Sequence, residues 1–169
     1  MKIIPIFVAA LALTACATAP EPVAVAEPVG HSTPEEYTAG QAAYLAWNGA
    51  RRGWTTTASG LQYRREGRAH PEGAQPSETD TVSVHYEGTF IDGRKFDSSY
   101  DRGEPAEFPL NRVIKGWTEG VALMRVGEIY EFVIPASLGY GSRWVGGDEL
   151  PPNSTLLFTV DLLDVTPAT

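Results

Sequence analysis

The chain has 169 residues and a formal net charge of −8, with 43% hydrophobic and 20% charged residues. That is the make-up of about one ordinary globular domain with appendages, and its acidic balance excludes nucleic acid and electrostatic docking on anionic lipid. The single cysteine, Cys16, excludes an internal disulfide, and His31, His70 and His85 are too scattered for a metal site, so no metal or other cofactor is expected.

Met1 and Lys2 make a minimal positive start, and Ile3 to Leu13 is an apolar run too short to span a bilayer. It ends in Leu13-Thr14-Ala15-Cys16, which resembles a bacterial lipobox. Residues 1–15 are therefore expected to be a lipoprotein signal peptide, with Cys16 as the lipidated first residue of the mature chain. An ordinary secretory signal is the alternative, because Ala15-Cys16-Ala17 and Ala17-Thr18-Ala19 also offer small residues for cleavage. Two or more acyl chains anchor stably where one is reversible. The expected location is the cell envelope. With Ala17 where Asp would favour the inner membrane, it is the outer membrane, facing the periplasm. Residues 16–32, rich in Ala, Pro, Glu and Val without apolar periodicity, predict a semi-extended tether.

Thr33, Pro34 and Glu36 spell an N-cap, a first helical position and the third-residue acid of a capping box. The helix should run to about Asn48, where Asn48-Gly49 ends it, with Tyr37, Tyr44 and Trp47 along one face. That face either packs on the following domain or makes a dimer contact. Packing, and a monomer, are expected. Residues 33–54 are thus a helical segment and 55–169 the main domain.

Within that domain Gly60–Arg65 and Thr81–Thr89 read as strands, followed by a hairpin turn at Asp92-Gly93 with both central positions tolerant of positive φ. Val113, Ile114, Trp117, Val121 and Met124 form a helical stripe from Asn111 or Arg112 to Met124, with Gly127 as the stop. Glu128–Ile134 and Ser154–Val165 alternate as strands do. The fold class is α+β: an antiparallel β-sheet wrapped around one amphipathic α-helix, preceded by a short N-terminal helix.

Three separated stretches supply aromatic and branched apolar side chains to one pocket. They are Val84-His85-Tyr86 through Asp92-Gly93 to Phe96-Asp97-Ser98-Ser99, then Val113-Ile114-Lys115-Gly116-Trp117, then Tyr140-Gly141 with Leu150-Pro151-Pro152 and Phe158. No nucleophile–base pair or phosphate loop accompanies them. A dry aromatic pocket suits a reaction without proton transfer or covalent chemistry, such as rotation about an X-Pro amide. In order and spacing, residues 55–165 resemble the FKBP-type (macrolide-binding immunophilin) peptidyl-prolyl cis-trans isomerase family.

The resemblance implies the family's fold, its activity on proline-containing polypeptides, and an affinity for macrolide ligands. It places Trp117 on the pocket floor, Tyr86, Phe96 and Phe158 in the walls, and Val113, Ile114 and Leu150 at the rim. Tyr140 and the backbone N–H of Ile114 or its neighbour would donate to a substrate carbonyl, while Asp97 would accept from Tyr86 or a ligand hydroxyl. Asp97, Tyr140, Trp117 and Phe158 are the expected catalytic contributors. Two departures stand out: Pro105-Ala106-Glu107-Phe108 has Ala106 where the family often has an aromatic, and the loop from Gly141 to Leu150 is longer and carries Trp144. Around the rim Glu104, Glu107, Asp148 and Glu149 outnumber Arg112, Lys115 and Arg143, so an acidic residue before proline is expected to be disfavoured. The alternative functions are a non-enzymatic envelope chaperone using the same apolar pocket, or an envelope interaction protein using the fold's surface alone.

Overall fold

In Thr81-Val82-Ser83-Val84-His85-Tyr86 every second side chain is apolar, so an extended backbone turns Val82, Val84 and Tyr86 to one face. The computed structural model, which describes residues 33–146 and 149–168, builds its sheet around this segment. The expected signal peptide, Cys16 and tether lie outside the described residues. The helices are α1 (Pro34–Gly49), α2 (Ser99–Arg102) and α3 (Lys115–Val121). The strands are β1 (Thr55–Thr56), β2 (Gln62–Glu66), β3 (Thr81–Phe90), β4 (Lys95–Ser98), β5 (Ala106–Pro109), β6 (Ile129–Ile134) and β7 (Leu156–Thr166).

All strand pairings are antiparallel, in the order β1-β2-β6-β7-β3-β4. β3 pairs along its length with β7, while its other edge is shared, Thr81–Val84 pairing with β5 and Glu87–Thr89 with β4. The inner face carries Val82, Val84, Tyr86, Phe90, Tyr130, Phe132, Ile134, Leu156, Phe158, Val160 and Leu162, and α3 lies across it with Trp117 and Val121. The helix can lie this close because two of its inward positions have no side chain. A Cβ on Gly116 would stand 2.5 Å from Ile134 Cγ2, and one on Gly120 would stand 2.7 Å from Phe132 Cε1.

The structure shortens the expected central helix. Leu110–Arg112 is a 3-10 turn, Val113 and Ile114 are extended, and only Lys115–Val121 is α-helical. Ile114 (φ −62°, ψ 149°) is the N-cap, and its carbonyl accepts from the Trp117 and Thr118 N–H groups at 2.9 and 3.1 Å. Val113 and Ile114 matched the helical period without being in the helix, which frees them for the site. The helix also stops before Met124, where i→i+3 bonds from Leu123 and Met124 tighten the chain, and Gly127 (φ 89°) turns into β6 instead. At the hairpin Gly93 alone takes positive φ (86°), closing a three-residue loop through Gly93 N–H to Phe90 O (3.0 Å) and Phe90 N–H to Arg94 O (2.9 Å). Asp92 stays out of that region, and its carboxylate accepts from the Arg94 N–H at 3.0 Å.

The capping box of α1 forms: Glu36 N–H donates to Thr33 Oγ1 at 3.2 Å, and the Thr33 N–H donates to Glu36 at 2.8 Å. The helix packs on the domain, but through a more polar face than the aromatic spacing suggested. Tyr37, Gln41 and Asn48 are its buried residues, whereas Tyr44 and Trp47 are half-exposed. Thr155 N–H donates to Gln41 Oε1 (2.9 Å), Asn48 Nδ2 to Gln62 Oε1 (2.9 Å), and Gln62 Nε2 to the Leu45 carbonyl (2.8 Å). The Tyr37 hydroxyl meets Ser154 Oγ at 2.7 Å, and Ser154 donates onward to the Pro151 carbonyl. Directional bonds therefore fix how α1 lies, since each buried amide loses its partner if the helix slides.

Candidate functional site

A cavity of about 840 Å³ opens where β3, β4, β5, β7 and the start of α3 converge. Its floor is Trp117, only 4% exposed. The indole is ringed by Tyr86, Phe108 and Phe158 at 5.2, 5.5 and 5.4 Å between centroids, each within 5° of perpendicular. Such edge-to-face packing sets positive ring edges against negative faces. Phe96 closes another side at 5.5 Å and 89° to Phe158. This wall depends on Gly88 of β3, where a Cβ would stand 2.7 Å from Phe96 Cζ and 2.8 Å from Phe158 Cε1.

Polar groups enter at the edge. Tyr86 donates its hydroxyl proton to Asp97 Oδ2 at 2.5 Å, and Arg102 donates to Asp97 Oδ1 at 2.6 Å and to the Tyr86 oxygen at 2.9 Å. Burial pushes the Tyr86 hydroxyl upward, and Asp97 accepting its proton raises it further, so Tyr86 stays a donor. Burial also pushes the Asp97 carboxyl upward, but the Tyr86 hydroxyl and Arg102 guanidinium together outweigh it and hold the group below its ordinary value. Across the cavity, the Tyr140 hydroxyl and the Ile114 N–H meet no acceptor among the described residues. Both are available to a ligand carbonyl.

A pH dependence follows from the lowered Asp97 value. A carboxylate that is more acidic in the native state contributes its stabilisation in full above the ordinary value of 3.8, and loses it as pH falls through the native value. Asp97→Asn is expected to lower the unfolding midpoint at pH 7 and to flatten the acid end of the stability curve below about pH 4. Parallel curves for the two proteins, measured by thermal denaturation from pH 2 to 7, would show that Asp97 is not held in this way.

Of the residues anticipated from sequence, Tyr86, Phe96, Asp97, Val113, Ile114, Trp117, Tyr140 and Phe158 all line the cavity. Leu150 does not. It is 6% exposed and packs in the core, with its N–H and carbonyl bonded to Val145 at 3.1 and 3.2 Å. That bridge turns the residue inward and gives the rim no side chain there. Ala106, packed against the core, is likewise absent from the lining, whereas Phe108, two residues along β5 on the same face, supplies a wall the sequence reading passed over. The period-2 spacing of Ala106 and Phe108 was the available signal.

Arg102 was also missed, because the α2 turn that returns it to Asp97 is only four residues long. The expected acidic rim is reversed. Arg112, Lys115 and Arg143 line the cavity, while Glu104, Glu107 and Glu149 do not, and Asp148 lies outside the described residues. Proximity in sequence counted carboxylates that the fold points elsewhere.

Comparison with known proteins agrees with this arrangement. The family model for "FKBP-type peptidyl-prolyl cis-trans isomerase" matches residues 72–163. The FKBP-type isomerase FkpA of Aeromonas hydrophila is 53% identical over 122 residues, covering 72% of this chain and 44% of that protein. The outer membrane protein MIP of Legionella longbeachae is 44% identical over 134 residues, covering 79% of this chain and 56% of that protein. The crystal structure of FkpA from Escherichia coli superposes with a TM-score of 0.72 at 44% identity, over 80% of this chain and 63% of that one. The chain thus spans about half the length of the curated relatives it matches. With the family's domain covering more than half of the sequence, and its fold and aromatic cavity in place, the chain belongs to the FKBP-type peptidyl-prolyl cis-trans isomerase family.

Proposed function

We propose that this chain catalyses cis–trans rotation about X-Pro bonds in exported or envelope polypeptides. The observation that carries this reading is the aromatic cavity over Trp117, whose carboxylate is already paired with Arg102 and whose two open donors are the Tyr140 hydroxyl and the Ile114 N–H. Rotation costs about 18–20 kcal/mol because amide resonance is lost at the twisted geometry. The planar amide is the more dipolar species, so a cavity that excludes water disfavours it relative to the twisted one. The proline ring rests on Trp117 between Tyr86 and Phe158. Tyr140 and the Ile114 N–H hold neighbouring carbonyls so that the chain bends into a turn. This is differential binding of the transition state, with no proton moved and no covalent bond made.

The test is isomerisation of a short Leu-Pro peptide by the purified protein, followed by exchange NMR. Tyr140→Phe removes one donor and is expected to lower kcat/KM about tenfold, the worth of one hydrogen bond at about 1.4 kcal/mol per decade. A wild-type protein that leaves the exchange rate unchanged would end the isomerase reading.

The same cavity takes macrolide ligands, which find one aromatic wall fewer than in relatives with an aromatic at the Ala106 position. The chain works as a monomer, since the buried face of α1 is spent on its own domain. It sits in the cell envelope, lipid-anchored through Cys16 at the outer membrane and facing the periplasm. The Leu-Thr-Ala-Cys sequence supports this placement, as does similarity to a protein named for the outer membrane. Cys16→Ser is expected to move the protein from the membrane fraction to the soluble envelope fraction. Wild-type protein that is already soluble and begins at Ala17 or later by N-terminal sequencing would refute the anchor.

A further inference from the structure

The inside and the mouth of the cavity differ in character. Its depth is aromatic, but Arg112, Lys115 and Arg143 line it as well. They come from three segments that meet only in the fold: the 3-10 turn Leu110–Arg112, the first residue of α3, and the loop after Tyr140. All three are exposed, and among the described residues none is in an ion pair with a carboxylate. Arg143 leans back on the Tyr140 carbonyl through Nε at 3.4 Å, which keeps it beside the opening. Among the described residues Asp97 is the one carboxylate in the lining, and Arg102 already neutralises it at 2.6 Å. The mouth is therefore positive on a chain whose net charge is −8.

We infer that the mouth selects proline segments flanked by acidic residues. An apolar residue next to the proline enters against Val113 and Ile114, while carboxylates two or three positions away meet Arg112, Lys115 and Arg143. This rests on the isomerase reading above and adds a substrate class to it. Each exposed pair is weak and screened by salt. Three cations acting together on an approaching segment raise its local concentration and association rate, so a difference of about tenfold between acidic and basic flanks is the scale to expect. The overall field of the protein pulls the other way, so the sign of the preference separates local from global electrostatics.

The test uses three peptides with a common Leu-Pro-Phe core and two Glu, two Gln or two Lys residues on each side. Exchange NMR reads the isomerisation rate of each directly, whatever its cis content. At low ionic strength the Glu-flanked peptide should be turned over about tenfold more efficiently than the Lys-flanked one, with Gln between. The ratio should shrink to about twofold near 0.5 M salt. It should vanish in the R112Q/K115Q/R143Q variant, for which the ratio, and not the absolute rate, is the readout. Equal efficiencies at low salt, a preference for Lys, or a ratio that survives the triple substitution would each overturn the inference while leaving the isomerase reading intact. A Gln-flanked peptide that is not turned over at all would remove the isomerase reading, and this inference with it.

Discussion

Trp117→Ala is expected to lower kcat/KM by a factor of about 100 or more, the largest effect of any single substitution in the cavity. On the proposed function, removing the indole takes away the surface on which the proline ring would rest and lets water reach the floor. A loss of about 3 kcal/mol of transition-state binding corresponds to about two decades in rate. The same change removes edge-to-face contacts with Tyr86, Phe108 and Phe158 and leaves a cavity beneath a residue that is only 4% exposed. Substitutions of that kind cost about 3–5 kcal/mol of stability, a large part of what a domain of this size possesses. Circular dichroism and urea denaturation must therefore accompany the kinetics, and Trp117→Phe provides a variant that keeps an aromatic floor. A well-folded Trp117→Ala protein with unchanged efficiency would remove Trp117 from the site.

Gly88→Ala should damage the site from behind. In open space, Ala in a strand interior is more stable than Gly by about 0.5–1 kcal/mol. Here the added methyl would stand 2.7 Å from Phe96 Cζ and 2.8 Å from Phe158 Cε1, so at least one ring must move. Phe158 is 7% exposed on the interior strand β7, whereas Phe96 is half-buried near a hairpin, so Phe96 gives way. Overpacking of this kind costs about 1–3 kcal/mol, which exceeds the gain from backbone restriction. The unfolding midpoint should drop by several degrees, and kcat/KM should fall about tenfold as the wall shifts. A rise in the midpoint, with unchanged turnover, would show that the rings accommodate the methyl freely.

The parts of the molecule legible in the sequence are those whose cause is local. Thr33, Pro34 and Glu36 announce the start of α1 because capping chemistry acts within four residues. Val82, Val84 and Tyr86 announce β3 because a half-buried strand has to alternate. The aromatic positions of the cavity were found through the resemblance, since spacing alone does not distinguish a pocket wall from ordinary core. What escaped detection depends on contacts between distant segments. Val113 and Ile114 fit a helical stripe, yet the carbonyl of Ile114 is needed as the cap of α3. Gln41 and Asn48 lie outside the aromatic face read from sequence, and are buried because Thr155 and Gln62 come against them. Counting charges near the rim in sequence gave the wrong sign at the mouth, because Glu107 takes the outer side of β5, which turns Phe108 inward, and Glu104 does not line the cavity.

An isomerase acting on unfolded chains, as proposed here, would run a hazard that its pocket residues do not address, because an extended client pairs readily with any free strand edge. Here β3 and the Leu156–Asp161 stretch of β7 have neighbours on both sides, and the sheet's margins fall to β1, β4 and β5, of two, four and four residues, and to the end of β7 past its pairing with β6. Those margins carry Lys95, Glu107 and Pro109, and the stretch of β2 beyond its pairing with β1 carries Arg64, Arg65 and Glu66. The split margin of β3 therefore denies clients a long row of open backbone groups to zip onto. On the proposed isomerase function, a client would be held at the cavity by side-chain contacts, which release more readily than a paired strand.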